Sequence, residues 1–575
     1  MYARERLVVA HVALALLAGA CQTSSPPPQN DPAAAADLLI LNGRVYTGDD
    51  AAPAAEAVAV SGSTILRVGK SDELASLRGA NTRVIDAHGG TVTAGVNDSH
   101  VHFISGGLSL GDVDLAGLTT LSDVQDKIRA FAASRRDQPW VLGRGWLYTP
   151  FPGGSPTREQ LDRAVPDRPA VMECYDGHSV WVNTKALELA HITRDTPNPP
   201  NGIVVKDPKT GEPTGHLKEA AANLINRAMP QPGSPEKRAA LRAAIAEAHR
   251  LGVTSIQNAG ASLEELALYE EARQSGELRI RAYLALSASE ATTEADLDRM
   301  DAAWKRLGDN PTLKTGAVKI FADGVIESRT AAMLAPYANS KTAGAPNLSP
   351  EALSRLAAMI DKRGWQIFIH AIGDRAIRMS LDALEHAASA NPAPARGRRH
   401  RLEHIETIDA ADIPRFGRSG IIASQQPMHV ALGDMNSEHP SGPWPDNLGP
   451  ERASGGWVWK SIQDAGGRLT FGSDWPVAPL EATQGIFLVA TRTGPSNAVP
   501  QRLSMRAALD GYTRWPAYAS FEDQRKGQIK PGMLADLVVL STDLLAQMPA
   551  KASDIVVETT IFDGKVVYER AASKR

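Results

Sequence analysis

The sequence predicts an α/β protein: a (β/α)8 barrel of the TIM type, with a large insertion after the first barrel strand and a small β-sandwich domain built from both chain ends. Short apolar runs such as GVTSIQNAG and WQIFIHAIGD alternate with helix-like segments such as SPEALSRLAAMIDKRGW. Repeated strand–helix units favour a parallel sheet closed into a barrel. The stretch 110–230 breaks this alternation, and apolar runs separated by turn residues occur near both chain ends.

Length and composition place the chain among large globular proteins. It has 575 residues, of which 43% are hydrophobic and 22% are charged. Because this length exceeds the usual size of a single hydrophobic core, we expect one large unit and a smaller one. The net charge of −4 gives no basic surface for a polyanion, so nucleic acid is excluded as a partner.

The first residues have the pattern of an export signal. Arg4 and Arg6 precede an apolar stretch, and the small residues of LAGAC lead to Cys21. This segment resembles the cleavage box of bacterial lipoproteins, which implies a signal peptide over 1–20, a lipid anchor on Cys21 and a tether over 21–36. We therefore expect an exported protein, periplasmic or anchored to the membrane of a bacterium. Simple secretion and an uncleaved anchor remain alternatives.

The rest of the chain divides by pattern. Residues 37–93 and 525–575 each hold too few strands for a sheet of their own, so we expect them to pair into one composite β-sandwich. Residues 94–524 carry the barrel pattern. The insertion, 110–230, contains Pro- and Gly-rich pieces such as LYTPFPGGSPT, and we expect it to cover the barrel mouth and shape substrate choice.

Candidate metal ligands follow several of the predicted barrel strands. In SHVHF, His100 and His102 stand two positions apart, so that on a strand both side chains leave the same face. Three further candidate ligands occur on separate predicted strands, in the runs FIHAIGD, RLEHIE and TFGSDWP: His370, His404 and Asp474. Because the active site of such a barrel lies at the carboxyl ends of its strands, these side chains should converge on one metal centre.

Lys319 lies in the middle of the predicted strand GAVKIFADG, where an unpaired ammonium would be costly to bury. A carboxyl group formed with CO2 on this lysine would turn the cation into an anionic ligand. We therefore predict carboxylation of Lys319.

These motifs resemble the amidohydrolase superfamily, in particular the YtcJ-like branch, which includes N-substituted formamide deformylases. The resemblance covers nearly all of the chain and rests on HVH, VKIFADG, IHAIGD, LEHIE and GSDWPV in that order, with WVLGRGW, DGHSVWVN and KGQIKPGMLADLVVL. It implies two divalent cations, with zinc expected, and a homodimer. One cation would be held by His100, His102 and Asp474, the other by His370 and His404, with carboxylated Lys319 bridging them. The usual Pro-Gly-Phe before Asp-Ser-His is replaced here by TAGVN, a difference that removes no ligand.

The ligand set predicts hydrolysis. Two metal ions lower the pKa of a bound water and polarise a carbonyl oxygen, and Asp474 would take the proton and pass it to a leaving nitrogen. We expect cleavage of a C–N bond in a small molecule, namely a non-peptide amide, formamide or cyclic amide. Deamination and hydrolysis of an N-acyl amino acid or dipeptide remain alternatives, as does a non-catalytic envelope lipoprotein that only binds a ligand.

Two residues of the insertion are candidate substrate contacts, His178 in DGHSVWVN and Trp146 in GRGW, although an ordinary hydrogen bond or a packed core position would also explain them. Asp323, Arg329 and Asp374 are expected to orient ligands or helices. The other histidines, His429 among them, show no convergent partners and are expected to face solvent or to pack.

Overall fold

The structure, a computed structural model, describes residues 35–200, 202–495 and 498–571. The predicted signal peptide, Cys21 and nearly all of the predicted tether lie outside these residues. Within the described ranges, none of the helices combines the length and the apolar character needed to cross a membrane.

The amino-terminal unit consists of short strands and one helix. In chain order they are β1 Ala36–Leu41, β2 Arg44–Tyr46, β3 Ala54–Ala55, β4 Ala57–Ser61, β5 Thr64–Gly69, α1 Ser71–Ala75, β6 Arg78–Asp86 and β7 Thr91–Ala94. One sheet has the order β5-β4-β1-β6, whereas β2, β3 and β7 belong to a second sheet.

The first barrel strand and the insertion come next, and the insertion forms a sheet of its own. The elements are β8 Val96–Val101, α2 Phe103–Ser109, β9 Val113–Asp114, α3 Leu121–Ser134, β10 Val141–Trp146, α4 Arg158–Asp162, β11 Ala170–Cys174, β12 Ser179–Val182, α5 Thr184–Leu189, β13 Gly202–Lys206, β14 Pro213–Glu219 and α6 Ala222–Asn226. The six strands pair in the order β13-β14-β12-β11-β10-β9. The sequence pattern did not predict this sheet, because its strands are short and separated by Pro- and Gly-rich turns.

The remaining barrel strands alternate with helices. They are α7 Ser234–Arg250, β15 Val253–Ala261, α8 Leu263–Gln274, β16 Arg281–Ser287, α9 Glu294–Leu307, β17 Leu313–Phe321, α10 Pro350–Lys362, β18 Gln366–Ala371, α11 Asp374–Ala390, β19 Arg401–His404, α12 Ile413–Ser419, β20 Ile422–Gln425, α13 Pro427–Leu432, α14 Pro443–Leu448, α15 Pro450–Ala453, α16 Trp459–Asp464, β21 Arg468–Phe471, α17 Ala482–Thr491, α18 Met505–Gly511 and α19 Arg514–Ala519. The sheet order is β21-β20-β19-β18-β17-β16-β15-β8, and the paired neighbours are parallel.

Backbone hydrogen bonds bring the two ends of this eight-stranded sheet together. The Asp474 amide donates to the His100 carbonyl (2.7 Å), and the His102 amide donates to the Trp475 carbonyl (2.7 Å). The first strand therefore meets the segment that follows the last one, and the predicted barrel is confirmed. The same bonds place Asp474 beside the HVH motif.

The burial of the barrel strands explains their sequence. Every residue of β8 and of β18 is buried, as expected for a parallel sheet that is covered on both faces. Several of the helices that follow strands begin with a side-chain cap; Ser262, Thr293 and Ser349 accept hydrogen bonds from backbone amides of α8, α9 and α10.

The carboxyl-terminal strands complete the second sheet of the amino-terminal unit. These strands are β22 Leu537–Leu540, β23 Val557–Phe562 and β24 Lys565–Glu569, and the sheet has the order β24-β23-β22-β7-β2-β3. Leu38 and Ile40 of the first sheet share a hydrophobic core with Val92, Leu537 and Ile561 of the second. The two chain ends thus form the small β-sandwich that the sequence predicts. The expectation that neither end can form a sheet alone is wrong, because β5-β4-β1-β6 is built entirely from amino-terminal strands.

Candidate metal centre

The carboxyl ends of the barrel strands bring the predicted ligands to one place. A cavity of about 420 Å³ at the barrel mouth is lined by His102, Lys319, His370, His404 and Asp474. His100 lies directly behind Asp474 and is fully buried. Residues up to 374 positions apart in the chain therefore surround one site.

One oxygen of Asp474 faces the HVH motif. Oδ1 lies 3.2 Å from His102 Nε2 and 3.4 Å from His100 Nε2. The three side chains offer ligand atoms that all lie within 4.8 Å of one another. Two imidazoles and one carboxylate at this spacing are a donor set that suits a divalent transition metal.

A buried ion pair holds His100 from behind. Glu403 Oε2 lies 2.6 Å from His100 Nδ1, and Arg401 Nε donates to Glu403 Oε1 at 2.6 Å. Because the proton on Nδ1 faces the carboxylate, the lone pair of Nε2 faces Asp474. Burial, reinforced by the charge of Lys319, lowers the pKa of His100 well below its ordinary value. His100 is therefore a neutral imidazole with its acceptor atom directed at the site.

Lys319 lies beside the same imidazole. Its Nζ is buried and stands 3.4 Å from His100 Nε2. Burial lowers the pKa of Lys319 to about 8, although Glu403 and Asp474 oppose the shift. The neutral, nucleophilic form of this amine is thus more accessible near neutral pH than that of an ordinary lysine, although the ammonium remains the major form.

The second oxygen of Asp474 faces another pair of histidines. Oδ2 lies 3.8 Å from His404 Nδ1 and 3.6 Å from His429 Nε2, and these three residues form a second group with ligand atoms within 4.8 Å of one another. The expectation that His429 faces solvent or only packs is wrong. Its position just after the predicted strand GIIASQQP is the signal that could have identified it.

One ring nitrogen of His370 forms a hydrogen bond on the side of the ring that does not face Asp474. Its Nε2 donates to the Gly324 carbonyl (3.2 Å) and lies 3.7 Å from Asp323 Oδ1, while its ring centroid is 4.4 Å from that of His404. A metal-binding histidine commonly donates its other ring N–H to a carbonyl or carboxylate. If His370 binds a cation, Nδ1 is the atom available.

Neighbouring groups fix the loops that carry these ligands. Asp323 accepts hydrogen bonds from the amides of Ala332, Ile372 and Gly373, and burial raises its pKa to about 7. Asp374 accepts from the Leu334 amide, and Arg329 Nε donates to Asn447 Oδ1. These contacts orient loops and helix starts.

The backbone at the ligands is unusual. Asp474, His404 and Ile405 have φ angles of +61°, +75° and +51°. Such left-handed conformations are uncommon for residues other than glycine and tend to occur at functional sites. Burial favours the neutral acid at Asp474, but the facing imidazoles of His100 and His102 hold its pKa well below the usual range.

His178 enters the cavity wall from the insertion. Its Nδ1 lies 2.9 Å from Glu219 Oε2. Burial alone would lower the pKa of this histidine, but the hydrogen bond and charge of Glu219 outweigh burial and raise the pKa to about 9. His178 is therefore a cation at neutral pH.

Trp146 does not reach the cavity, which corrects the expectation that it is a substrate contact. It is fully buried within the insertion, where Tyr148 and Phe151 pack edge-on against its ring. Its Nε1 donates to the Met172 carbonyl at 2.7 Å. The alternative, a packed core aromatic, describes it.

A second cation of the cavity wall, Arg144, has a loosely held side chain. Its Nε is buried without a hydrogen-bond partner among the described residues, and Glu173 Oε2 lies 3.7 Å away. Nearby Asp112 has its pKa raised to about 6 by burial and by the charge of Glu173. The insertion thus supplies both signs of charge to the cavity.

Comparison with known proteins agrees with the architecture and the ligand motifs. The family model described as "Amidohydrolase family" matches residues 83–568. The putative amidohydrolase YtcJ of Bacillus subtilis (strain 168) is 32% identical over 544 residues, which cover 92% of this chain and 99% of the relative. The N-substituted formamide deformylase of Arthrobacter pascens is 28% identical over 557 residues, which cover 93% of this chain and 99% of the relative.

A solved structure supports the fold independently. An uncharacterized metal-dependent hydrolase from Pyrococcus horikoshii OT3 superposes with a TM-score of 0.68 at 23% identity, covering 89% of this chain and 98% of that one. The protein therefore belongs to the amidohydrolase family of metal-dependent hydrolases and is an enzyme that acts on carbon–nitrogen bonds other than peptide bonds.

Proposed function

We propose that this protein hydrolyses a C–N bond in an amide, formamide or cyclic amide of low molecular weight, with two divalent cations, zinc in particular, at Asp474. The observation that carries the proposal is the position of Asp474, which presents one carboxylate oxygen to each of two histidine groups. The similarity to an N-substituted formamide deformylase supports a formamide or a related amide as the substrate.

The unpaired atoms at the site fit such cations. His404 Nδ1, His429 Nε2 and Asp474 Oδ1 are buried without hydrogen-bond partners among the described residues. Leaving buried polar atoms unpaired costs about 1–3 kcal/mol each, and metal coordination would remove that cost. Imidazole nitrogens combined with carboxylate oxygens suit zinc. His100, His102 and Asp474 would hold one cation, and His370 and His404 the other.

Lys319 would contribute as a carbamate between the two cations. Its neutral amine attacks the carbon of CO2, a nitrogen–carbon bond forms, and the amine proton leaves to solvent, so that the side chain becomes anionic. Burial and the lowered pKa of this lysine favour the reaction. Mass spectrometry of the native protein should find one added CO2 that disappears in Lys319→Ala.

The reaction then needs two proton transfers, one from the attacking water to the enzyme and one from the enzyme to the leaving nitrogen. Divalent cations, when bound, lower the pKa of a water molecule and polarise a carbonyl oxygen. The Asp474 carboxylate accepts the proton of the attacking water and donates it to the leaving nitrogen, which departs as an amine. From the insertion wall, the imidazolium of His178 donates a hydrogen bond to the substrate.

Hydrolysis of an N-acyl amino acid is a second candidate, favoured by Arg144. A nearly buried guanidinium without a hydrogen-bond partner among the described residues would bind a substrate carboxylate. For such a substrate, Arg144→Met should raise KM at least about tenfold. For a neutral formamide the same change should leave KM within about twofold.

A substrate screen tests the main proposal. Metal-loaded protein is assayed against N-substituted formamides, N-acyl amino acids, lactams and aminopurines, with Asp474→Asn at equal metal content as the control. We expect release of amine from a formamide or neutral amide by the wild type only. Ammonia from aminopurines without amide cleavage would contradict the proposal and favour a deaminase.

We also propose export through the amino-terminal segment, with a lipid on Cys21. The motif LAGAC supports this proposal. Labelling of cells with a radioactive fatty acid should mark the wild type but not Cys21→Ser. An unlabelled wild-type protein in the soluble periplasmic fraction would instead indicate simple secretion.

A further inference from the structure

We propose that His429 is a metal ligand and binds, with His404 and Asp474, the second of the two cations, the one assigned above to His370 and His404; His370 is not part of this group of converging ligand atoms. The inference rests on the proposed function above and adds a protein ligand that the sequence motifs do not include. His429 belongs to α13, just beyond the end of β20, so the donor set extends past the strand ends.

Glu406 fixes the orientation of the His429 ring. Its Oε1 lies 3.2 Å from His429 Nδ1, and its Oε2 accepts a hydrogen bond from Trp444 Nε1 at 2.7 Å. All three side chains are buried. With the Nδ1 proton donated to Oε1 of Glu406, Nε2 is the ring nitrogen that faces the cavity and can offer a lone pair there.

The same arrangement occurs on the other side of Asp474. There Glu403 receives the Nδ1 proton of His100, and Arg401 occupies the remaining oxygen of that glutamate. His100 Nε2 then faces Oδ1 of Asp474, just as His429 Nε2 faces Oδ2. Carboxylate–histidine pairs of this kind orient metal ligands and raise their basicity.

Two other buried histidines engage Nε2 in a hydrogen bond, whereas His429 does not. His249 uses Nε2 toward the Arg279 carbonyl, and His400 uses Nε2 toward Asp361. His429 Nε2 is buried, has no hydrogen-bond partner among the described residues and lies 3.6 Å from Asp474 Oδ2. This gap, too long for a hydrogen bond, is bridged by a cation bound to both atoms.

His216 provides a matched control. It is fully buried, its Nδ1 lies 2.9 Å from Ser155 Oγ, and its Nε2 also lacks a partner among the described residues. It belongs to the insertion sheet and contacts the ring of Trp146. An unpartnered nitrogen therefore occurs at His216 without a carboxylate arranged to share a cation with it.

The test is cobalt binding to the apoprotein, measured by calorimetry and visible absorption. The wild type should bind two equivalents. His429→Ala should keep one site and weaken the other at least about tenfold, Glu406→Gln should weaken the same site by a smaller factor, and His216→Ala should match the wild type. Equal stoichiometry and affinity in His429→Ala and His216→Ala would overturn the assignment.

A second variant covers the case in which His429→Ala does not fold. In His429→Cys, a thiolate at the cation should add a sulfur-to-cobalt charge-transfer band that His216→Cys lacks. If His429→Ala is unfolded and His429→Cys shows no such band, the assignment is again overturned. A wild type that binds no cobalt would instead overturn the proposed function itself.

Discussion

Two regions meet at the cavity but hold their side chains in different environments. The barrel rim comprises the candidate ligands at the carboxyl ends of the barrel strands, and the insertion wall comprises the residues of 110–230 that line the cavity. At the rim, His100 is fully buried and is oriented by Glu403, which Arg401 orients in turn. On the insertion wall, the side chain of His178 is 25% exposed and is oriented by Glu219, which accepts hydrogen bonds from the hydroxyl groups of Ser328 and Thr330. Both histidines therefore have a supported carboxylate behind them, and the two regions differ in burial and charge: the rim presents a buried neutral imidazole that can bind a metal, whereas the wall presents a partly exposed cation that can contact a substrate.

This difference separates two kinds of function. Loss of a rim residue should remove metal or proton transfer, because no other group can take its place. Loss of a wall residue should change substrate binding and leave the chemistry intact. The predictions below test that separation, from the largest expected effect to the smallest.

Asp474→Asn should reduce kcat by about 10²–10⁴-fold, the contribution typical of a positioned acid or base. The amide cannot accept the proton of the attacking water. Steady-state kinetics on protein samples of equal metal content will measure the effect. A kcat within threefold of the wild type would show that Asp474 is not the base.

Glu403→Gln should weaken cation binding by about 10–100-fold, because His100 loses the carboxylate that fixes its tautomer. Competition with a chelator measures the affinity. Glu327→Gln is the control, since Glu327 also lies at the cavity and burial raises its pKa well above the ordinary value, which favours the neutral acid. An equal loss in both variants would argue for a general effect of polarity at the cavity.

The pH dependence of kcat/KM should reflect the titration of His178 on the insertion wall. Its pKa of about 9 means that the imidazolium is present below that pH and is lost as the pH rises through it. We expect kcat/KM to fall on this alkaline limb. Glu219→Gln should move the limb to lower pH, because burial still disfavours the imidazolium while only the weaker charges of Asp176 and Glu327 remain to favour it. A limb at the same pH in both proteins would mean that another group titrates.

Trp146→Phe should change stability and not catalysis. It removes the hydrogen bond to the Met172 carbonyl, worth about 1 kcal/mol, and leaves the ring in the core. Urea unfolding measures the first effect, and kcat/KM should stay within about twofold. A large rise in KM with unchanged stability would indicate that Trp146 contacts the substrate after all.

The sequence predicted the rim far better than the wall. The HVH spacing and the strand–helix alternation identify candidate ligands that lie at a strand end, as His100 and His404 do, or within three residues of it, as Asp474 does. His429 escapes this rule because it lies on the helix after β20, and its partner Glu406 follows a different strand. Only the folded chain shows that these two residues touch.

The fold of the insertion was harder to predict from the sequence for a related reason. Its strands β9 and β12 are only two and four residues long, too short for a periodic pattern. Trp146 ends β10, within the insertion that was expected to cover the barrel mouth, and for that reason it was a candidate substrate contact. Its burial comes from Tyr148, Phe151 and Trp181, contacts that depend on how the insertion folds on itself.

The most direct test of the account is anomalous diffraction at the zinc edge from crystals of the zinc-loaded protein. We predict two peaks, one within coordination distance of His100, His102 and Asp474, and one within coordination distance of His404, His429 and Asp474. A zinc-loaded crystal with no peak in contact with Asp474 would contradict the metal centre and the chemistry derived from it.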